Sequence, residues 1–259
     1  MVVLSFILLL ALSCQAQFFN QADLAFAPAA TTNAVAAQQT LHDGVFAWWT
    51  LEPVVHTWPD STTNKVDLTD SANDVVPDTT LIGFGADFYA GDSVLTNNGC
   101  ADFSAADWAI TGWVMLFDTN VYQVIADVAS AVGEQIIFQF NTDQTLSFGL
   151  LNGSTLVWST VKTNWGSGWY HVTLSYDHVG GTLSGGGITY VISGLATNTA
   201  DMSYTPPGTP LSITLGGRYD LTSYFTGELD EWAIYGRKLS LDEINSLYNS
   251  GDGRAWPPP

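Results

Sequence analysis

Residues 225–251, FTGELDEWAIYGRKLSLDEINSLYNSG, constrain the fold more than any other stretch of the chain. The first half alternates with the period of a strand. Phe225, Gly227, Leu229, Glu231, Ala233 and Tyr235 fall on one side; Thr226, Glu228, Asp230, Trp232 and Ile234 fall on the other. The second half opens a helix: Ser240 followed three residues later by Glu243 is a capping box. Leu241, Ile244 and Leu247 form one apolar stripe, and Gly251 stands just past the expected stop. An acidic strand, a short turn and one capped helix closing a β-rich chain is an uncommon order that few folds accommodate.

Composition sets the size and the surroundings. A chain of 259 residues with 46% hydrophobic content suffices for one large two-sheet sandwich and is short for two. Strand-like runs fall at 121–128, 135–140, 145–151, 155–162, 188–192 and 211–215, and Asn152-Gly153 signals a two-residue hairpin turn. Six Lys and Arg against 25 Asp and Glu leave a formal charge of −19. Such a surface repels phosphate backbones, which argues against a nucleic-acid partner, and it favours divalent cations and a saline, extracellular setting.

The N-terminus reads as an export signal. Residues 2–12 are apolar except for Ser5, too short a run to span a bilayer as a helix. Small residues at Cys14 and Ala16 predict cleavage before Gln17, so residues 1–16 are the signal; lipidation of Cys14 is the alternative. No later apolar run reaches the length of a membrane span. Residues 17–43, rich in Ala, Thr, Asn and Gln, read as a linker or extended arm that could self-associate along a neighbour's sheet edge. The domain proper is expected over 44–257. With Cys14 in the signal, Cys100 stands alone in the mature chain, free or paired between chains.

Five further stretches follow in order: VFAWWTLE at 45–52, DSTTNKVDLTD at 60–70, ADFYAGDSVL at 86–95, WAITGWV at 108–114 and GWYHVTLSY at 168–176. With the closing strand and helix, they resemble laminin G-like domains of the concanavalin A-like lectin/glucanase superfamily. The resemblance implies an all-β, concanavalin A-like jelly-roll β-sandwich of two antiparallel sheets with one short C-terminal helix. That fold hosts lectins, adhesion modules, hydrolases and structural proteins, so it implies no single function.

In that superfamily an aspartate of the final strand helps to hold a structural calcium. The resemblance therefore implies Asp230 as the side-chain ligand of a Ca²⁺, Glu52 as the first-strand candidate, and Gly91 or Asp92 as the loop candidate. Ca²⁺ takes about six to eight oxygens, many of them carbonyls, so few side chains suffice. The alternative is that Asp230 only caps backbone amides. The superfamily also includes laminarinase-type glycosidases with an E-x-D-x-x-E strand. Here Glu228 and Asp230 share a face, but the sixth position is Ala233 and alternation turns Glu231 away, which argues against a hydrolase.

Ten tryptophans suggest sugar stacking. Trp58 and Trp165 fall in expected loops and are the candidate carbohydrate-binding platforms, with Asn164 as a polar helper; the alternative is that both lid the core. Of Trp48 and Trp49, alternation turns one outward. The reading is a secreted, non-catalytic module that binds extracellular carbohydrate or a cell-surface partner and is stabilised by calcium. A structural subunit of an extracellular appendage or virion fibre is the second reading, and a glycoside hydrolase the third.

Overall fold

The computed structural model describes residues 41–53, 57–89, 91–99, 107–130, 135–152, 155–162, 166, 168–178, 187–193, 195–201 and 211–257. The expected signal, most of the arm, and Cys100 lie outside these residues. In chain order the strands are β1 (Val45–Trp49), β2 (Thr57–Trp58), β3 (Leu68–Asp70), β4 (Val76–Thr79), β5 (Phe84–Phe88), β6 (Leu95–Asn98), β7 (Trp108–Leu116) and β8 (Gln123–Ser130). They continue as β9 (Gln135–Phe140), β10 (Leu146–Asn152), β11 (Thr155–Lys162), β12 (Tyr170–Asp177), β13 (Gly187–Ile192), β14 (Leu195–Asp201), β15 (Leu211–Leu215) and β16 (Gly227–Tyr235). One helix, α1 (Leu241–Tyr248), follows.

The first sheet runs β14-β13-β12-β7-β16-β5-β4, with β1 also paired to β16; the second runs β11-β10-β9-β8-β15-β6-β3-β2. Every pairing is antiparallel, so the architecture expected from the sequence is the one observed. Inward residues of the first sheet (Ile110, Val114, Val172, Leu174) share one buried cluster with Ile136, Phe138, Phe148 and Leu215 of the second. The polar turn after β1 is organised by one buried carboxylate. Asp60 accepts hydrogen bonds from the Trp48, Thr62 and Val66 amides at 2.9–3.0 Å and from the Thr62 hydroxyl at 2.8 Å.

The uninterrupted alternation expected of β16 does not hold. Its register against β7 slips between Asp230 and Ala233, and Glu231 adopts a left-handed conformation (φ 49°). This bulge reverses the phase of the strand. Leu229, Trp232 and Ile234 face the core between the sheets, whereas Ala233 and Tyr235 face the outer side. Trp232 fits because Gly112 on β7 has no side chain: a Cβ there would lie 2.5 Å from the indole. The Trp232 indole N–H donates to the Trp113 carbonyl at 3.1 Å.

Helix α1 covers part of the outer face of the first sheet. The capping box forms as expected: Glu243 N–H donates to Ser240 Oγ at 3.3 Å, and Ser240 N–H donates to Glu243 Oε2 at 2.8 Å. Ile244 and Leu247 pack with Trp48, Ala109 and Tyr235 in a second buried cluster, while Leu241 is exposed. The stop is Asn249 in a left-handed conformation (φ 47°), ahead of Gly251. Trp48 and Trp49 are both buried, which corrects the expectation of one solvent-facing indole. Trp49 enters the core between the sheets; Trp48 turns outward but lies in the second cluster, against the Trp256 ring at 4.9 Å. Leu41, at the end of the expected arm, belongs to the same cluster. No helix among the described residues is long and apolar enough to cross a membrane.

Candidate ligand and cation sites

Trp58 does not form a sugar platform. It is 1% exposed in the core between the sheets, because the short pairing of β2 with β3 turns Thr57 outward and the indole inward. Trp165 and Asn164 lie outside the described residues. His171 is a core residue: its Nε2 is 2.9 Å from the Thr111 hydroxyl, and burial pushes its pKa down to about 3, so the ring is neutral. Asp107, Asp177 and His178 bring ligand atoms within 4.8 Å of one another, and the Lys238 ammonium already pairs with Asp177 there.

The β16 bulge gathers acidic groups on the outer face of the first sheet. Asp230 is fully buried; its Oδ2 accepts from the Thr80 hydroxyl at 2.9 Å and the Ile82 N–H at 2.8 Å. Its Oδ1 is buried with no hydrogen-bond partner among the described residues. Glu231 accepts a hydrogen bond from the Trp48 indole N–H. Burial pushes Asp230 up to about 7 and Glu231 up to about 8; the like charge of Glu52 adds to both, while hydrogen bonds from Ile82 and Thr80 oppose the rise at Asp230. Glu52 reaches the same corner, since a Cβ on Gly83 would lie 2.8 Å from its Oε1. Asp230 and Glu52 therefore lie near one another, beside the turn at residues 80–83. Gly91 and Asp92 are not part of this corner. Gly91 is exposed with open space around it, and Asp92 acts on Asp74 at the second sheet. The reason is local: the turn joining β4 to β5 folds over Asp230, while residues 91–92 lead into β6 of the other sheet.

A second constellation, absent from the sequence reading, occupies one end of the sandwich. Gly227 of β16 pairs with both Phe88 of β5 and Leu116 of β7, so the exposed Tyr89 and Phe117 emerge at the same end. Loop 117–122 continues to the exposed Val121 and Tyr122, and loop 216–226 carries the exposed Tyr219 and Leu221. The buried Gln123 fastens these loops: its Oε1 accepts from Thr226 N–H at 2.7 Å, and its amide donates to the Asp118 carbonyl. Phe117 N–H also donates to the Thr226 carbonyl at 3.1 Å, and Val124 N–H to the Ser223 carbonyl at 2.8 Å.

Asp127 of β8 lies beneath these loops. Its Oδ2 accepts from Tyr219 N–H at 3.0 Å and from the Gln135 amide at 3.4 Å. Asp127 Oδ1, Gln135 Oε1 and Arg218 Nε are buried with no hydrogen-bond partner among the described residues. Burial pushes Asp127 up to about 7, against the pull of the Tyr219 amide and the Arg218 charge. Arg218 lies over the Tyr219 ring at 5.6 Å, and the Tyr122 hydroxyl donates to Gln139 Oε1 at 2.9 Å. Buried polar atoms without a partner among the described residues thus lie beneath loops that carry exposed aromatic rings. One sequence signal was available: Gln123 and Asp127 bracket the apolar run Val124–Ala126 in the strand QVIADVAS.

The described fold is that of a lectin-like β-sandwich, and its relatives agree. The family model for the concanavalin A-like lectin/glucanases superfamily (Laminin_G_3) matches residues 88–245, more than half of the chain, and the chain belongs to that superfamily. Comparison with curated proteins gives no match. Among solved structures, domain 4 of AbnA, a GH43 extracellular arabinanase from Geobacillus stearothermophilus in complex with arabinotriose, has a TM-score of 0.60 at 17% identity, covering 79% of this chain and 98% of that one. The botulinum neurotoxin serotype D binding domain has a TM-score of 0.66 at 12% identity, covering 82% of this chain and 52% of that one. A Trypanosoma rangeli sialidase has a TM-score of 0.60 at 11% identity, covering 88% of this chain and 39% of that one. The chain thus spans about half the length of the neurotoxin domain. At these identities the likeness is one of fold.

Proposed function

We propose that the chain is a secreted, non-catalytic binding module that recognises extracellular carbohydrate or a cell-surface partner, with calcium as a structural ion. The observation that carries this reading is the loop end of the second sheet, where exposed Tyr122 and Tyr219 lie by polar atoms of Asp127, Gln135 and Arg218 that have no partner among the described residues. Similar folds support it. The arabinanase domain is in complex with arabinotriose, and related neurotoxin binding domains are in complex with rat synaptotagmin II and with SialylT. Non-catalytic status is supported by the burial of the two carboxylates that would form a glycosidase pair. Asp230 is fully buried and Glu228 nearly so.

A glycan panel tests the reading. The full chain should bind at least one neutral or acidic oligosaccharide, and Tyr219→Ala or Tyr122→Ala should weaken that binding by roughly tenfold, as stacking worth about 1.4 kcal/mol requires. Binding indifferent to both substitutions would move the site elsewhere, and no binding to glycan or surface protein would end the reading.

Asp230 and Glu52 fit a structural calcium, because Asp230 Oδ1 is an orphaned buried acceptor beside a second carboxylate. Calcium at about 100 times its dissociation constant should stabilise the domain by about 2.7 kcal/mol over chelator. Asp230→Ala should abolish the difference in melting temperature; if it does not, Asp230 serves only to cap the Ile82 amide.

A further inference from the structure

Three loops that pass from one sheet to the other share the aromatic end, and contacts tie them into one surface. Residues 91–94 lead into β6, residues 117–122 join β7 to β8, and residues 216–226 join β15 to β16. A Cβ on Gly216 would lie 3.0 Å from the Ser93 carbonyl oxygen, and one on Gly217 would lie 2.9 Å from Val94 Cγ1. The third loop is itself folded tightly. Arg218 N–H donates to the Thr222 carbonyl at 3.0 Å, and Leu221 N–H donates to the Arg218 carbonyl at 2.9 Å.

The charges on this surface are of one sign but for a single guanidinium. Asp92 and Asp220 are exposed, Asp118 is half-buried, and the fully buried Asp127 lies beneath. Arg218 is the one cation that these loops carry, and it is shared. Its Nη1 is 3.7 Å from Asp220 Oδ2, and its charge also acts on Asp127. The charges that act on the Tyr122 hydroxyl are those same three, Arg218, Asp127 and Asp220, so the exposed ring borders the acidic set. Asp127 Oδ1 has no donor among the described residues, which leaves that side of the carboxylate uncompensated.

We propose that this end of the sandwich takes uncharged saccharides and discriminates against sialylated, uronate-bearing and sulfated ones. The inference rests on the carbohydrate reading above and deepens it by naming the ligand class. An anion laid against Tyr122 and Tyr219 would meet Asp118 and Asp220 with only the shared Arg218 to offset them, and such like-charge juxtaposition costs affinity. In about 0.1 M salt the screening length is about 10 Å, so this local set decides the preference and the net charge of the chain does not.

An array of matched pairs, each a neutral oligosaccharide beside its sialylated, sulfated or uronate-bearing counterpart, tests it with the full chain. The neutral member should bind about tenfold more tightly, or better. Raising sodium chloride from about 0.05 to about 0.5 M should strengthen whatever binding the acidic member shows and leave that of the neutral member unchanged, because screening weakens repulsion. Asp220→Asn should narrow the preference by about threefold or more, whereas Asp242→Asn, at the exposed start of α1, should leave it as it is. The inference is overturned, with the carbohydrate reading intact, if acidic members bind as well as neutral ones, if salt weakens their binding, or if Asp220→Asn behaves as Asp242→Asn does. Binding to neither member of any pair overturns both.

Discussion

Replacing Trp232 with alanine should lower the unfolding free energy by about 3–5 kcal/mol, the upper range for a buried aromatic. Trp232 is 1% exposed, its N–H is bonded to the Trp113 carbonyl, and its ring meets Phe138 of the opposite sheet edge-on at 5.7 Å. The cavity has little means of collapsing, because the residue beneath the indole is Gly112, which has no side chain to move into the space. Urea unfolding measures the loss as a lower midpoint at unchanged slope. Gly112→Ala supplies the complementary test: its Cβ would lie 2.5 Å from the indole, and such overpacking costs about 1–3 kcal/mol. In the double variant the overpacking cost should disappear. Additive costs would mean that the two positions do not share the space.

The same pair shows where sequence reading reaches and where it stops. The capping box at Ser240 and Glu243 depends on residues three apart, and it forms as expected. Strands β9 and β11 fall at the expected positions because their bounds are set by local composition. The β16 bulge escapes simple alternation, although large apolar residues at 229, 232 and 234 already break a period of two. Its consequences are not local. It places Asp230 and Glu231 on one face and turns Trp232 into the core. Asp230 could be singled out from its strand, but its neighbouring turn could not: residues 80–83, Thr-Leu-Ile-Gly, reach it through the Thr80 hydroxyl and the Ile82 amide, whereas the polar Asp92 leads into the other sheet. The aromatic end is harder still. Tyr89 and Phe117 emerge at one end because β5 and β7 flank β16, a fact of topology that no spacing encodes. Trp58 misled because a two-residue strand reads as a loop.

In the absence of calcium, the protein should lose stability as pH rises from about 4 to 8. Burial pushes Asp127 and Asp230 up to about 7 and Glu231 up to about 8, from ordinary values of 3.8, 3.8 and 4.5. A folded-state pKa above the unfolded one means that the native chain binds more protons between those values, so unfolding free energy falls with pH. This stabilisation is fully present below about pH 4, declines progressively above it, and is gone once pH has risen through 7 to 8. Each carboxyl contributes on the order of 2–4 kcal/mol, and Asp230 and Glu231 add incompletely because each feels the other's charge. Urea midpoints at stepped pH measure the slope. Asp230→Asn and Glu231→Gln should each flatten it and raise stability at pH 8, because each removes a charge that would otherwise ionise in a buried site. Calcium should oppose the loss at Asp230, since a cation holds the ionised carboxylate. A calcium-free profile that instead rises toward pH 8 would show that these carboxylates are already charged and compensated in the native fold.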